Sequence, residues 1–120
     1  MKYEELTSEI IATCFEVNKE LGTGFLESVY EKALMIALRK HQLSAEAQVP
    51  LTVFFQGEVV GQFFADILVE QKVMLELKAV IHLLPEHQAQ VINYLKATEI
   101  EVGLLINFGT PRVEVKRLYR

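Results

Sequence analysis

The sequence predicts an α/β fold made of eight elements in the order α-α-β-β-β-α-β-β. In the first third of the chain, apolar residues recur every three or four positions, as on one face of a helix. From residue 49 the chain changes to runs of β-branched and aromatic residues, interrupted by one further helical segment. The 120 residues suit a single domain spanning 1–120, and 51% are hydrophobic, which is enough for a core.

Two helices are predicted before the first strand. The first covers residues 6–21, and two glycines, Gly22 and Gly24, then break the chain. The second helix runs from about residue 26 to residue 41. The first helix is predicted from apolar residues at helical spacing, namely Leu6, Ile10, Cys14, Val17 and Leu21.

Five strands and a third helix follow. Gln56-Gly57 is a plausible hairpin tip between the first two strands, and Gln71-Lys72 a turn before the third. Pro85 suits the first turn of the helix. Residues 101–107, EVGLLIN, form a short and mostly apolar run, which indicates a strand buried on both faces. The predicted strands cover residues 49–55, 58–69, 73–80, 101–107 and 112–118, and the helix covers 85–98.

The charge balance restricts the class of protein. Twelve Lys and Arg against sixteen Asp and Glu give a net charge of −4, which argues against a dedicated nucleic-acid binder but allows a local basic patch. Cys14 is the only cysteine, so no disulfide can form within the chain, and a reducing, cytoplasmic compartment fits best. The start of the chain lacks the apolar core of a signal peptide, and no apolar run could span a bilayer, so no membrane partner is expected.

Two carboxylates and a lysine form the candidate chemical centre. Glu76 and Lys78 stand two apart on one predicted strand, so their side chains share a face. A hairpin through Gln71-Lys72 would bring Asp66 beside Glu76, where a divalent cation such as Mg²⁺ or Mn²⁺ would relieve their repulsion. Taken alone, this pattern also fits a solvated sheet face. The apolar neighbours of Glu76 favour a central strand, where charges are costly unless paired or liganded.

Several motifs in order carry a resemblance to a known family. Residues 24–30, GFLESVY, form a GxxExxY motif and resemble the signature of the GxxExxY protein family, which is grouped with the PD-(D/E)XK nuclease superfamily. The resemblance covers nearly the whole chain. It continues through ADILV at 65–69, ELKA at 76–79, HQAQ at 87–90, NYLK at 93–96 and GLLINF at 103–108.

The resemblance implies a restriction-endonuclease-like core, a mixed central sheet flanked by helices, and a set of site residues. Its implied metal ligands are Asp66, Glu76 and the backbone carbonyl of Leu77, with Lys78 as the catalytic lysine and Glu27 as the acidic residue supplied by a helix. Ala65 replaces the usual proline before the aspartate, a mild departure because that proline is not a ligand.

Three residues of the third helix are candidate substrate contacts. Gln90 and Tyr94 are similar to a Gln-x-x-x-Tyr element of some branches of the superfamily, and His87 lies on the same ridge. Plainer interpretations remain open here: Tyr94 and Tyr30 as core residues, and Gly24 as a requirement of its turn. Glu27 would be favoured at the start of a helix in any case.

Two functions are therefore expected as alternatives. The first is a Mg²⁺- or Mn²⁺-dependent nuclease acting on DNA or RNA, for which a homodimer would place two sites across a duplex. The second is a non-catalytic protein-interaction or ligand-binding module on the same fold, since fold alone does not establish chemistry. Basic residues near the end of the chain either contact phosphates or blunt an edge strand: Arg112, Lys116, Arg117 and Arg120.

Overall fold

The computed structural model describes residues 2–120, and within them the predicted element order is confirmed. The helices and strands follow one another as the periodicity indicated, so the α/β (α+β) fold class is also confirmed. The elements are α1 (Glu4–Leu21), α2 (Glu27–Lys40), β1 (Ala45–Phe55), β2 (Glu58–Val69), β3 (Val73–Lys78), α3 (Pro85–Lys96), β4 (Val102–Asn107) and β5 (Glu114–Tyr119).

The five strands form one mixed sheet in the order β1-β2-β3-β4-β5. β3 and β4 are parallel, and α3 provides the crossover between them, whereas the other neighbouring pairs are antiparallel. β1 and β2 pair along almost their whole length. β2 pairs with β3 only where residues 67–69 face residues 73–75.

The helices cover the two faces of the sheet. α1 and α2 pack on one face, where Leu34 belongs with Leu75 and Leu104 to the larger hydrophobic cluster. α3 packs on the other face, where Leu95 meets Leu105 in a smaller cluster. All six residues of β4 are buried, which confirms the prediction of a strand covered on both faces.

Some boundaries differ from the predicted ones, for reasons of tertiary pairing. β1 begins at Ala45 rather than residue 49, because Ala45 pairs with Val69 although the local sequence is polar. β3 ends at Lys78 rather than residue 80, because the Val80 N–H and C=O form hydrogen bonds with the side chain of Asn107 instead of with a neighbouring strand. Such long-range partners are not visible in a local pattern.

The end of β3 is tied to the segment after β4 by Asn107. Its Oδ1 accepts hydrogen bonds from the Val80 and Gly109 N–H groups at 3.0 and 2.9 Å. Its Nδ2 donates to the Val80 carbonyl at 2.9 Å and to Glu114 at 3.0 Å. A Cβ at Gly109 would overlap the Val80 backbone, so glycine allows this close approach.

Two further features concern the helices. Cys14 is fully buried in α1, and burial raises the pKa of its thiol to about 12. Within residues 2–120, none of the helices combines the length and the apolar character needed to cross a membrane.

Candidate active site

Asp66 and Glu76 face each other where β2 and β3 stop pairing. The last backbone pair in this direction joins Ile67 and Leu75. Beyond it, side chains take the place of the backbone ladder: the Asp66 N–H donates to Glu76 Oε1 at 3.1 Å, and the Leu77 N–H donates to Asp66 Oδ2 at 2.8 Å. Each carboxylate is thus held by the backbone of the opposite strand.

The two carboxylates lie at the border between core and solvent. Asp66 is half-buried, whereas Glu76 is 5% exposed. Burial and then repulsion by Asp66 raise the pKa of Glu76 to about 8, against the opposing effects of the Asp66 N–H and the positive charge of Lys78. Without a cation, the protonated form of Glu76 is therefore favoured to a higher pH than in an exposed carboxyl.

Lys78 follows Glu76 by two positions on β3 and is half-buried. The strand alternation places it on the side of Met74 and Glu76, which is the side of α3. Among the ion pairs formed within residues 2–120, none involves Lys78. Its ammonium is near enough to Glu76 to lower the pKa of that carboxyl, so a positive charge stands beside the acid pair.

A small polar cavity of about 170 Å³ opens on the α2 side of Asp66. Glu27, at the first residue of α2, lines this cavity together with Asp66 and Leu77, and its side chain is exposed. The structure therefore brings the helical acid to the same recess as Asp66, whereas neither Glu76 nor Lys78 lines it.

Two residues of this cavity were missed by the sequence patterns. Glu31 lies one turn after Glu27, and Gln48 of β1 donates from Nε2 to Glu31 Oε1 at 2.6 Å and to Asp66 Oδ1 at 3.4 Å. The i, i+4 spacing of Glu27 and Glu31 was the available signal. No sequence pattern indicated Gln48. Its φ of 53° is unusual for a non-glycine residue and departs from regular strand geometry.

The donor set fits a hard divalent cation. Asp66, Glu76 and the acids of α2 offer only oxygen atoms, as Mg²⁺ and Mn²⁺ prefer. Within residues 2–120, no three His, Cys, Asp or Glu side chains converge closely enough to form a ready-made cage. A pair of carboxylates supplemented by a backbone carbonyl and waters is a usual arrangement for Mg²⁺.

A larger cavity of about 810 Å³ lies on the opposite side, between α3 and the outer part of the β1–β2 hairpin. Gln90 and Tyr94 both line it, and Gln90 Nε2 donates to the Tyr94 hydroxyl at 3.0 Å. Burial, and then the charges of Glu76 and Asp66, raise the pKa of Tyr94. Tyr94 therefore approaches the carboxylate pair from the α3 side, although it also packs in the smaller core cluster.

His87 occupies a different position from Gln90 and Tyr94. Its Nδ1 accepts a hydrogen bond from the Leu84 N–H at 3.0 Å, which satisfies a free donor at the start of α3. It is not among the residues that line the larger cavity. A contact between His87 and substrate stays a prediction.

The glycine and tyrosine of the GxxExxY motif shape the turn before α2. Tyr30 is fully buried, its hydroxyl donates to the Gly22 carbonyl at 2.6 Å, and its ring stacks on Phe108 with centroids 4.5 Å apart. Gly24 has a φ of 107°, which disfavours other residues. The interpretation of Tyr30 as core and of Gly24 as a turn residue is confirmed, and both fix where α2, and therefore Glu27, begins.

Comparison with known proteins decides the family. A family model described as the PD-(D/E)XK nuclease superfamily matches residues 4–118. The chain belongs to the PD-(D/E)XK nuclease superfamily. Divalent metals are in general use among the nucleases of this superfamily, which agrees with the oxygen-rich donor set around Asp66.

One similar solved structure supports the fold alone. The crystal structure of SSO0001 superposes with a TM-score of 0.61 at 21% sequence identity, covering 78% of this chain and 49% of that one. This PD-(D/E)XK chain thus spans about half the length of SSO0001. No match was found among curated proteins.

Proposed function

We propose that this PD-(D/E)XK domain is a divalent-metal-dependent nuclease that hydrolyses phosphodiester bonds in DNA or RNA. The observation that carries the proposal is the crossed arrangement of Asp66 and Glu76, each carboxylate fixed by a backbone N–H of the other strand. The buried Glu76 beside the half-buried Asp66 is costly at the border of a core, because the two carboxylates repel and Lys78 forms no ion pair with either, and a bound cation would remove this cost. The proposal includes membership of the GxxExxY branch, based on Gly24, Glu27 and Tyr30.

The proposed ligands of Mg²⁺ or Mn²⁺ are Asp66, Glu76 and the carbonyl of Leu77, with Glu27 completing the site. The Leu77 N–H points toward Asp66, and in a strand the N–H and C=O of one residue face the same neighbour. The carbonyl of Leu77 therefore faces the same cleft. Glu31 joins this set from its position on the shared cavity. When bound, the cation would polarise a phosphate oxygen and lower the pKa of a water molecule.

Lys78 supplies the positive charge of the proposed reaction. Its ammonium stands beside Glu76, where it would orient a water nucleophile or stabilise the negative charge that develops on the phosphate. Gln90 and Tyr94, joined by their hydrogen bond, would contact the substrate from the α3 side, and His87 would do so at the start of that helix.

The alternative function is a non-catalytic interaction or ligand-binding module on the same fold. The net charge of −4 and the largely apolar cavity beside α3 favour this alternative. In that case the acid pair would keep its proton, and no cation would be needed for the protein to work.

Metal binding separates the two functions. We expect millimolar Mn²⁺ or Mg²⁺ to raise the melting temperature, because a cation that binds only the folded state stabilises it. Asp66→Asn and Glu76→Gln should remove this shift, whereas Glu99→Gln, which neutralises an exposed acid between α3 and β4, should retain it. An unchanged melting temperature of the wild-type protein across 0–10 mM metal, on the order of the concentrations weak sites need, would contradict the metal site.

Cleavage assays then test the reaction. Single- and double-stranded DNA and RNA are incubated with Mn²⁺ and either the wild-type protein or Lys78→Met, which keeps the length of the side chain and removes its charge. We expect activity that depends on metal and falls at least ~100-fold in the variant, since charge stabilisation of this kind is worth that much. Activity that survives Lys78→Met would point to a contaminating nuclease.

Two broader assignments belong to the same proposal. Residues 1–120 would fold as one unit, because both hydrophobic clusters share the single sheet. A reducing, cytoplasmic compartment would suit a chain whose one cysteine is buried and unpaired.

A further inference from the structure

The larger cavity beside α3 has an aromatic lining that is partly open to solvent. One side of it is the outer hairpin, residues 53–64 of β1 and β2, where Phe54 and Phe63 are 61% and 40% exposed. Tyr94 lines it from α3, and the ring centroids of Tyr94 and Phe63 lie 5.1 Å apart. Three aromatic rings therefore border one recess, whose volume of about 810 Å³ is ample for a planar ligand.

Two side-chain amides line the same cavity. Gln90 and Asn93 both belong to α3, and Gln90 Nε2 donates to the Tyr94 hydroxyl at 3.0 Å. Within residues 2–120, no hydrogen bond engages the side-chain amide of Asn93. An amide offers a donor and an acceptor side by side, which is the pattern that matches the edge of a nucleobase.

The charges around the cavity favour a neutral ligand. Glu86 and Lys96 of α3 line it with opposite charges, and among residues 49–65 of the sheet the only charged side chain is Glu58. A phosphate would meet one lysine offset by a nearby acid, so the cavity is a poor phosphate site. An uncharged, planar ring can instead stack on the aromatic side chains, because every nucleobase has a π-face.

The position of the cavity relates its occupant to the acid pair. Tyr94 lines the cavity and is close enough to Glu76 and Asp66 for their charges to raise its pKa. Tyr94 also packs with Met74, which lies on the same side of β3 as Glu76. A phosphodiester held at the acid pair carries a nucleoside on each side, so a base of the substrate would come next to the cavity.

We propose that the larger cavity binds one unpaired nucleobase of the substrate strand, so that the domain acts on single-stranded rather than intact duplex nucleic acid. This inference rests on the proposed nuclease function and specifies its substrate. Phe54, Phe63 and Tyr94 would stack on the base. Gln90 and Asn93 would contact its edge. A base within a duplex is already stacked and paired, and its extrusion into the cavity would cost free energy.

Binding of a free nucleoside tests the cavity without metal or cleavage. Adenosine has a base but no phosphate, so its binding does not depend on a cation. In EDTA, adenosine at up to about 10 mM, above a roughly millimolar dissociation constant, should shift the amide resonances of residues 53–63 and 86–97 in the ¹⁵N-labelled full chain. Ribose at the same concentration should leave these resonances unchanged.

Matched variants separate the cavity from the rest of the hairpin. Phe54→Ala and Phe63→Ala should weaken adenosine binding at least ~5-fold, because each removes a stacking ring. Ala89→Leu should also weaken it, because leucine suits a helix but fills the cavity. Phe55→Ala and Phe64→Ala are the controls and should bind like the wild type, since these phenylalanines are 62% and 57% exposed but do not line the cavity.

Cleavage assays test whether the bound base belongs to the substrate. With Mn²⁺, a single-stranded oligonucleotide should be cleaved faster than the duplex of the same sequence. Phe54→Ala should raise KM for the single strand at least ~5-fold and change kcat little, because stacking holds the substrate before and during the reaction. A strand with an abasic nucleotide beside the scissile bond should be a poorer substrate for the wild type but no poorer for Phe54→Ala.

The outcomes distinguish this inference from the proposed function. If adenosine causes no shift at the cavity, the inference is overturned whatever the cleavage assays give. Equal cleavage of single strand and duplex, unchanged by Phe54→Ala, also overturns it but leaves the nuclease function intact. Adenosine binding that Ala89→Leu abolishes, in a protein that cleaves nothing, would support the nucleobase site and contradict the nuclease.

Discussion

The two halves of β2, residues 58–64 and residues 65–69, are both rich in apolar residues but differ strongly in burial. Toward its end, Ile67 and Val69 are fully buried. Toward its start, Val60 and Phe64 are as apolar but mostly exposed. Both halves pair with β1, so the difference arises from what lies beyond: β3 and the helices cover the inner half and leave the outer half bare. Burial in this sheet is therefore decided by neighbours rather than by the strand itself.

Asp66 stands at the boundary between these halves. On one side of it the backbone pairing with β3 continues, and on the other side it ends. A carboxylate placed there replaces a lost backbone acceptor for the Leu77 N–H and still reaches solvent. The same break in the ladder thus provides both a position for an acid and access to it.

The largest expected effect is the contrast between the two halves. Ile67→Ala should lower the free energy of unfolding by about 2–5 kcal/mol, because it leaves a cavity in the larger core cluster. Phe64→Ala should change it by no more than about 0.5 kcal/mol in dilute protein, as expected for an exposed side chain. Urea denaturation measures both. Equal losses would mean that the outer hairpin is packed in the monomer.

The pH dependence of the free energy of unfolding tests the burial of Glu76, which faces Asp66 where β2 and β3 stop pairing. The pKa of Glu76 rises from 4.5 to about 8 on folding, so the folded state keeps a proton that the unfolded state releases between these values. The contribution is complete below pH 4.5 and is lost as the pH rises toward 8, with a total on the order of a few kcal/mol. Glu76→Gln should flatten this slope. Denaturation in EDTA from pH 5 to 9 measures it, and matching slopes for both proteins would contradict the burial of Glu76.

Substitution of Asn107 tests how the end of β3 is held beside β4. Asn107→Ala removes four hydrogen bonds around Val80 and should lower the free energy of unfolding by about 1–3 kcal/mol, because buried backbone groups lose their partners. Asn93→Ala, on an exposed position of α3, is the control and should have little effect. If the two variants were equally stable, the hydrogen bonds of Asn107 to Val80 and Gly109 would make no net contribution to stability.

The smallest expected effect concerns the turn before α2. Tyr30→Phe keeps the stack on Phe108 and removes the hydrogen bond to the Gly22 carbonyl, so the loss should be about 0.5–1.5 kcal/mol. Thermal denaturation measures it. A larger loss would show that the hydroxyl also holds the Phe25 N–H, to which it lies at 3.4 Å.

Local periodicity predicted the fold well because each element has a strong pattern of its own. The bounds of β2 and the buried character of β4 were correct, since β2 is rich in β-branched and aromatic residues between two turns and β4 is a short, mainly apolar run. The break between β2 and β3 was not predictable, because a chain pattern does not show where two strands stop sharing hydrogen bonds. The contrast between the two halves of β2 was missed for the same reason.

The sequence predicted the two acids of the candidate site but not the residues whose hydrogen bonds hold the surrounding backbone and side chains in place. Asp66 and Glu76 were placed together by the hairpin geometry, and the structure joins them through the Asp66 N–H. Gln48 was missed because its role depends on a positive φ in β1, and the tie by Asn107 was missed because it depends on the approach of Val80. Both are features of the folded backbone rather than of residue type.

The burial of Cys14 makes the protein convenient to label. A thiol whose pKa is about 12 is almost entirely protonated at neutral pH, and the surrounding core also keeps reagents away. A cysteine introduced on the surface, for example by Glu58→Cys near the hairpin tip, would be the sole reactive thiol without removal of the native one. A fluorophore at that position would report changes in the surroundings of the hairpin tip.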